Sequence, residues 1–400
     1  MSKVLWESWN YLKDYQQCFL EVPSLKIGNI LHSSSEQKEF KRNLIFTILC
    51  IIVTHGGESF KKFKKDLEHD QLWTKQKIPL HKTDLHPLPA WNINESSITG
   101  NVKVDEAITE ELHLDKTEDF GETLHFYAGD QLSLAHFHSI KLIHTGHEDG
   151  HWAFFGTTWL TGLFHTKMAD VTGTLFTHWG KPNTGSRNPG SLWFHNTRLD
   201  WLPITLTSLP SFWVCHDIIF VSLYAWVLHL LLLIASVPSL DQYAQRHEDW
   251  ATLISHAELI YDQYASASVV RELQRKRKTS TGDKVTEGDM VFENVILFLQ
   301  DSLISWEFTN TVKGGDSGRV VLVLKIWALS FWGNGRTKYT YEMLHLIHNL
   351  STVWSPAVRY LFKVIFIALS HCLLYATGKL CLIIGYWIQL GIQTAGWKLI

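Results

Sequence analysis

A helix-rich, mixed α/β fold follows from three features of the 400-residue chain. Leu124–Leu132 is an aromatic and apolar run that stops abruptly in Gly129-Asp130-Gln131, as a buried strand with a turn at its end would. Trp152–Phe164, rich in aromatic and β-branched residues, repeats the pattern and ends in Gly162-Leu163-Phe164-His165-Thr166-Lys167. Most remaining apolar residues recur at helical spacing in long segments on either side of these two runs.

In order, residues 1–77 read as a helical N-terminal region. Within it, the apolar run Leu44–Thr54 is too short to cross a bilayer. The basic stretch from Phe60 to Lys65 contains Lys61 and Lys62, which are either a solvated helix face or a phosphate contact. Residues 78–357 form the core domain. It opens on a Pro- and Asn/Ser-rich connector to Gly100, continues in an acidic helix over Val102–Leu114 and an acidic loop over Asp115–Glu122, and then enters the first strand. A helix over Leu132–Ile143 follows that strand at once. Residues 177–196 read as a long loop. Ile218–Val237 is apolar enough to be a transmembrane candidate, the alternative being a buried core helix. Asp241–Glu272 has the period of an amphipathic helix, and the basic cluster Arg275, Lys276, Arg277 opens a flexible break over 275–288. That cluster is either a solvated linker or a nucleic-acid or nuclear-import patch. Helices are expected over Val291–Phe308, Val320–Phe331 and Tyr339–Leu350. Ser317 is a candidate cap for the second of these. Residues 358–400 form an apolar tail without an acidic residue.

A net charge of −3 gives no global electrostatic signature of a nucleic-acid binder. Five Cys without a CxxC pair fit reduced thiols in an intracellular protein. The first fifteen residues lack the apolar segment of a secretory signal. Charged residues are scarce at 19%, whereas 18 Trp and 22 His are unusually many and need a cause.

Candidate chemistry concentrates where polar residues leave apolar strands. Asp130 is either the cap of the next helix or a carboxylate placed for metal or substrate chemistry at a strand's carboxyl end. His165 repeats that placement, with a satisfied core histidine as the alternative. Glu342, His345 and His348 are spaced by threes, unlike the zinc-protease pattern of two His four apart. The Gly residues of 177–196 do not form a P-loop.

Several stretches, taken in order, carry a likeness: Leu88-Pro89-Ala90, Asn94-Glu95-Ser96-Ser97 with Gly100-Asn101, Gly129-Asp130-Gln131-Leu132, Gly162–Lys167 and Thr177–Pro182. It continues through Phe220–Leu228, Gly288–Asn294, Gly314–Trp327 and Gly335–Asn349. Over residues 85–357 the chain resembles an uncharacterised domain family of mushroom-forming fungi, found in many repeated copies and similar to products of mobile DNA elements. In the family pattern Arg is usual at Trp201, Trp213, Trp226, Trp306 and Trp332 and at His136, His138 and His216. Asp is usual at Asn94. Each difference is one C-to-T or G-to-A change, the mark of deamination in methylated repeats. The resemblance thus implies a decaying element copy, which explains the Trp and His counts. It also implies that the tail is translated intron or frame-shifted sequence, which sequencing the transcript's 3′ end would test. An Arg at 226 would be costly in mid-membrane, which favours a core helix there.

The function this implies is a transposon-derived, transposase-like DNA nuclease, degenerate in this copy, with a ribonuclease-H-like core and large helical insertions. In such cores carboxylates hold paired Mg²⁺ ions. Asp130 would be the first ligand, with Glu342 and Asp316 as further catalytic carboxylates and His165 and Asp170 as other candidates. Lys61, Lys62, Arg275, Lys276 and Arg277 would contact DNA, in the nucleus rather than the cytoplasm. Two alternatives stand beside it: a non-catalytic nucleic-acid- or protein-binding remnant, and a membrane protein with spans near 218–237 and 360–392, anchored through its apolar tail.

Overall fold

The computed structural model describes residues 15–18, 20, 22–78, 84–85, 88–113, 124–144, 146, 150–154, 156–182, 188–208, 210–247, 249–279, 289–360, 362–363, 384–386 and 398–399. The acidic loop 115–122 and most of the apolar tail lie outside them.

In chain order the main elements are α1 (Ser34–His55), α2 (Lys64–His69), α3 (Ile98–Glu111), β1 (His125–Gly129), α4 (Gln131–His144), β2 (Thr157–Thr161) and α5 (Leu163–His178). They continue as α6 (Leu192–Arg198), α7 (Phe212–Ala235), α8 (Leu240–Arg246), α9 (Trp250–Tyr264) and α10 (Ala267–Thr279). The last are α11 (Met290–Gly314), α12 (Ser317–Gly333), α13 (Thr337–His348) and a short β3 (Ile384–Tyr386). The fold is therefore helix-rich and mixed α/β.

The chain divides into two compact units. One comprises Met1–Leu31, Lys75–Lys167 and Val312–Ile400, the other His32–Thr74 and Met168–Thr311. The sequence placed its boundaries at 77/78 and 357/358. The structure instead assigns most of the N-terminal helical region to the second unit, together with a long helical segment inserted between β2 and α12.

The first unit is built on β1 and β2, which pair in parallel from His125↔Thr157 to Gly129↔Thr161. β3 lines the other edge of β1, antiparallel. Trp159 of β2 is stacked between Tyr127 of β1, at 4.1 Å between ring centres, and Phe137 of α4, at 3.2 Å. With Ile108, Leu134, Ile140 and Phe154 these rings make the core that fixes α4 against the strands. The Tyr127 hydroxyl is pushed well above the usual phenol range by burial first, then by the neighbouring Asp105 carboxylate, to which it hydrogen-bonds.

The loop before α3 is held by its own side chains. Asn94 Oδ1 accepts from the Ser96 amide, and Ser97 Oγ caps the helix by accepting from the Gly100 amide, both at 3.0 Å. Asn101, fully buried, donates to the Glu95 and Ser97 carbonyls. The Ser97 cap starts α3 at Ile98, four residues earlier than periodicity alone predicts.

The second unit is helical among the described residues. Val171, Leu175, Trp179, Leu192, Cys215, Ile218, Ile219 and Phe298 form one of its cores. α7 is long and apolar enough to cross a membrane by length and composition. Within this unit it packs on α1, α6 and α9 and buries Ile218, Leu223, Val227 and Leu231. Residues 177–196, read as loop, contain the last turn of α5 and the start of α6, whose cap is Ser191 (Phe194 N–H to Ser191 Oγ, 3.2 Å). The single helix expected over 241–272 is three, because Asp249 caps a new start at Trp250 and the chain breaks again at Ala265-Ser266. Residues 275–279, expected in a flexible break, continue α10.

Candidate functional site

The parallel register brings the carboxyl ends of β1 and β2 side by side. Gly162 N–H donates to Gly129 O at 2.8 Å, so the strands leave the sheet together. A Cβ on Gly162 would lie 3.3 Å from both Gly129 O and His165 Cδ2, a space only glycine fills without displacing a neighbour. Asp130 and His165 follow these two glycines. Asp130 Oδ1 accepts from the Ser133 amide at 2.8 Å, which makes it the N-cap of α4. Its charge is felt by His165. Burial pulls the His165 pKa down, Asp130 partly restores it, and the net shift is downward. The pair thus sets Asp130 beside an imidazole biased towards its neutral form at a sheet's carboxyl edge, the place where α/β proteins bind ligands.

Glu342 does not join this pair. On α13 it faces His138 of α4, with His138 Nε2 3.7 Å from Glu342 Oε2, and it shares its helix face with His345 one turn later. One ligand atom each from His138, Glu342 and His345 lie within 4.8 Å of one another. The two imidazoles meet edge-on at 5.4 Å, and Asn349 Nδ2 hydrogen-bonds His345 Nε2 at 3.4 Å. His138 lies eight residues along from Asp130, about 12 Å of helix rise, so Glu342 belongs to a second cluster rather than to the strand edge. Burial and the adjacent His138 push the His345 pKa down to about 4. Lys141, one turn beyond His138, is pushed down to about 8 by burial, and its charge also acts on His345.

Asp316 starts a helix here. Fully buried, it caps α12 by accepting from the Gly318 and Arg319 amides at 3.1 and 3.2 Å. Ser317, expected to be the cap, instead donates to Gln76 O at 2.7 Å. Asp170 is buried in the second unit and accepts from the Ser305 hydroxyl. The basic residues are engaged locally. Lys61 pairs with Glu58 at 2.6 Å, and Lys62 donates to Ala244 O at 2.8 Å. Arg275 makes a two-pronged contact with Glu272 at 2.8 and 2.9 Å, holding that carboxyl below its usual range. Lys276 shares Glu272 at 3.8 Å, and Arg277 pairs with the buried Glu293 at 3.5 Å.

His138 and His345 are the residues that sequence reading missed as a pair. Glu342-x-x-His345 marks one helix face, but the partner lies some two hundred residues earlier, and only tertiary structure brings it there.

No curated protein and no solved structure matches the chain. A family model does match, over residues 20–367, reaching further on both sides than the 85–357 that carry the motifs. With most of its length covered, the chain belongs to DUF6589, a family of unknown function.

Proposed function

We propose that this chain derives from a transposase-like, metal-dependent DNA nuclease whose reaction site is the carboxyl edge of the β1–β2 pair. The observation that carries this reading is the juxtaposition of Asp130 and His165 beyond two hydrogen-bonded strand ends. The insertion of Met168–Thr311 between β2 and α12 supports it, because a ribonuclease-H-like core with a large helical insertion has that organisation. One Asp130 oxygen holds the start of α4, which fixes the carboxylate in place. His165, kept neutral by burial, can donate a lone pair. This nitrogen–oxygen pair suits Mn²⁺ better than Mg²⁺, which prefers oxygen ligands alone. A bound ion would polarise a phosphodiester and activate the attacking water. The DNA substrate implies a nuclear site of action.

The test uses the full chain, labelled DNA, and Mn²⁺ or Mg²⁺. Asn is as good a cap as Asp, so Asp130→Asn keeps the fold, whereas Asp130→Ala loses about 1 kcal/mol of cap stabilisation. The expected result is Mn²⁺-dependent cleavage that vanishes in Asp130→Asn at unchanged melting temperature. Equal cleavage by Asp130→Asn refutes this edge as the reaction site, and none by the folded wild type with either ion refutes an active nuclease in this copy.

A second reading, a non-catalytic nucleic-acid- or protein-binding remnant, is favoured by the use of Asp130 as a helix cap. Salt-dependent DNA binding that survives Asp130→Asn, without cleavage, would select it.

A further inference from the structure

We propose that His138, Glu342 and His345 bind one divalent transition-metal ion of the zinc class, at a site distinct from the Asp130–His165 edge. Two imidazoles and one carboxylate are a common three-ligand set for zinc, with the fourth position left to water. The ligand atoms already lie within 4.8 Å of one another. Bonds of 2.0–2.1 Å in a tetrahedral site need about 3.4 Å between ligand atoms, so closing the 3.7 Å His138–Glu342 pair takes a small side-chain rotation.

The scaffold suits the task. Glu342 and His345 are one helical turn apart on α13, and His138 projects from α4, which the Tyr127–Trp159–Phe137 stack fixes on the strands. Asn349 Nδ2 donates to His345 Nε2, and a flip of that amide would present Oδ1 as the acceptor that orients a metal-ligating imidazole. The Glu342 side chain is mostly covered, at 11% exposure, while His138, at 43%, leaves an approach from solvent. One group opposes the ion: Lys141, whose charge reaches His345. Its removal should therefore strengthen binding.

The experiment titrates the metal-free full chain with Co²⁺, followed by visible absorption, and then with Zn²⁺ in competition. One ion per chain is expected at this site, in addition to any ion held at the Asp130–His165 edge. His138→Arg keeps a partner for Glu342, because the guanidinium can salt-bridge it, and so removes a ligand while sparing the fold. Losing an outer-shell partner typically weakens metal affinity tenfold to a hundredfold, and losing a ligand in His138→Arg or Glu342→Gln should cost at least that much. Lys141→Gln should bind this ion more tightly, and in Asp130→Asn the ion whose affinity depends on His138 should remain. Unchanged affinity in His138→Arg, no binding of either ion by the folded wild type, or a Lys141→Gln variant no tighter than wild type overturns the assignment. Loss of all bound ion in Asp130→Asn, with His138→Arg unaffected, would overturn it too, by assigning the ion to the strand edge. DNA cleavage is not the readout, so failure of the nuclease reading leaves this test intact.

Discussion

Three tryptophans test whether the excess of this residue is superficial. Trp332 and Trp213, at positions where the resemblance implies Arg, are 62% and 55% exposed, whereas Trp327 on the same helix as Trp332 is 2% exposed. Consider Trp332→Arg. A little over a third of the indole is covered, roughly 90 Å² of the 250 Å² a large aromatic can bury, worth at most ~2 kcal/mol. The aliphatic stem of Arg covers much of the same surface. Trp332 also lies in the last turn of α12, where a cation gains about 0.3–1 kcal/mol from the helix dipole. The net change should fall within about 1 kcal/mol of zero. Trp213 sits in the first turn of α7, where the dipole term reverses, so Trp213→Arg should be the less favourable of the two by about 1 kcal/mol. Trp327→Arg buries an unpaired charge and should cost about 3–5 kcal/mol. Urea unfolding followed by far-UV circular dichroism reads all three. A Trp332→Arg variant destabilised by more than about 2 kcal/mol would refute the reasoning, since it would mean that the indole packs as a core residue.

Two further outcomes follow from the first unit. In Gly100→Ala the new Cβ would fall 1.7 Å from the backbone oxygen of Asn94, so the capping loop must move, at about 1–3 kcal/mol; Gly28→Ala, with nothing within 4 Å, should be near neutral, and equal stability of the two variants by thermal denaturation would contradict the loop geometry. His345 is held neutral, with a pKa near 4 against 6.5 when unfolded, so as pH falls the unfolded chain takes up its proton first and stability drops between about pH 6.5 and 4, then levels off. In chelator, His345→Gln should flatten that slope relative to wild type, and superimposable pH profiles would remove His345 as a cause.

Much of the fold was legible because the signals were local. Both strands lie inside the apolar runs that announced them, and α4 begins at the residue after the Asp130 cap. Misread boundaries had visible causes in retrospect: Ser97, Ser191 and Asp249 are N-caps, and each starts a helix where hydrophobic period alone put a connector or an uninterrupted helix. At the strand edge, the sequence identified Asp130 and His165 separately, and the parallel register joined them. The assignments of Asp316 and Glu342 rested on residue type rather than on local signals. Asp316 turned out to cap a buried helix start, and Glu342 to face histidines whose approach depends on how α4 and α13 lie in the folded unit.

This division bears on what the family motifs encode. Asn94, Ser97, Gly100 and Asn101 build one capping loop, and Asp289 caps α11 through the Val291 and Phe292 amides. Gly180 and Gly315 occupy left-handed backbone conformations that side chains rarely adopt, and Asp316 caps α12. The stretches that carry the resemblance are thus mostly devices that start, stop and turn the chain. A chain can keep them all and fold without any chemistry, because none of these bonds needs a substrate. Asp130 is the exception that matters: one carboxylate serves the fold through Oδ1 and would serve chemistry through its other oxygen. For that reason Asp130→Asn, which keeps the cap and removes the charge, separates a working site from an inherited helix start.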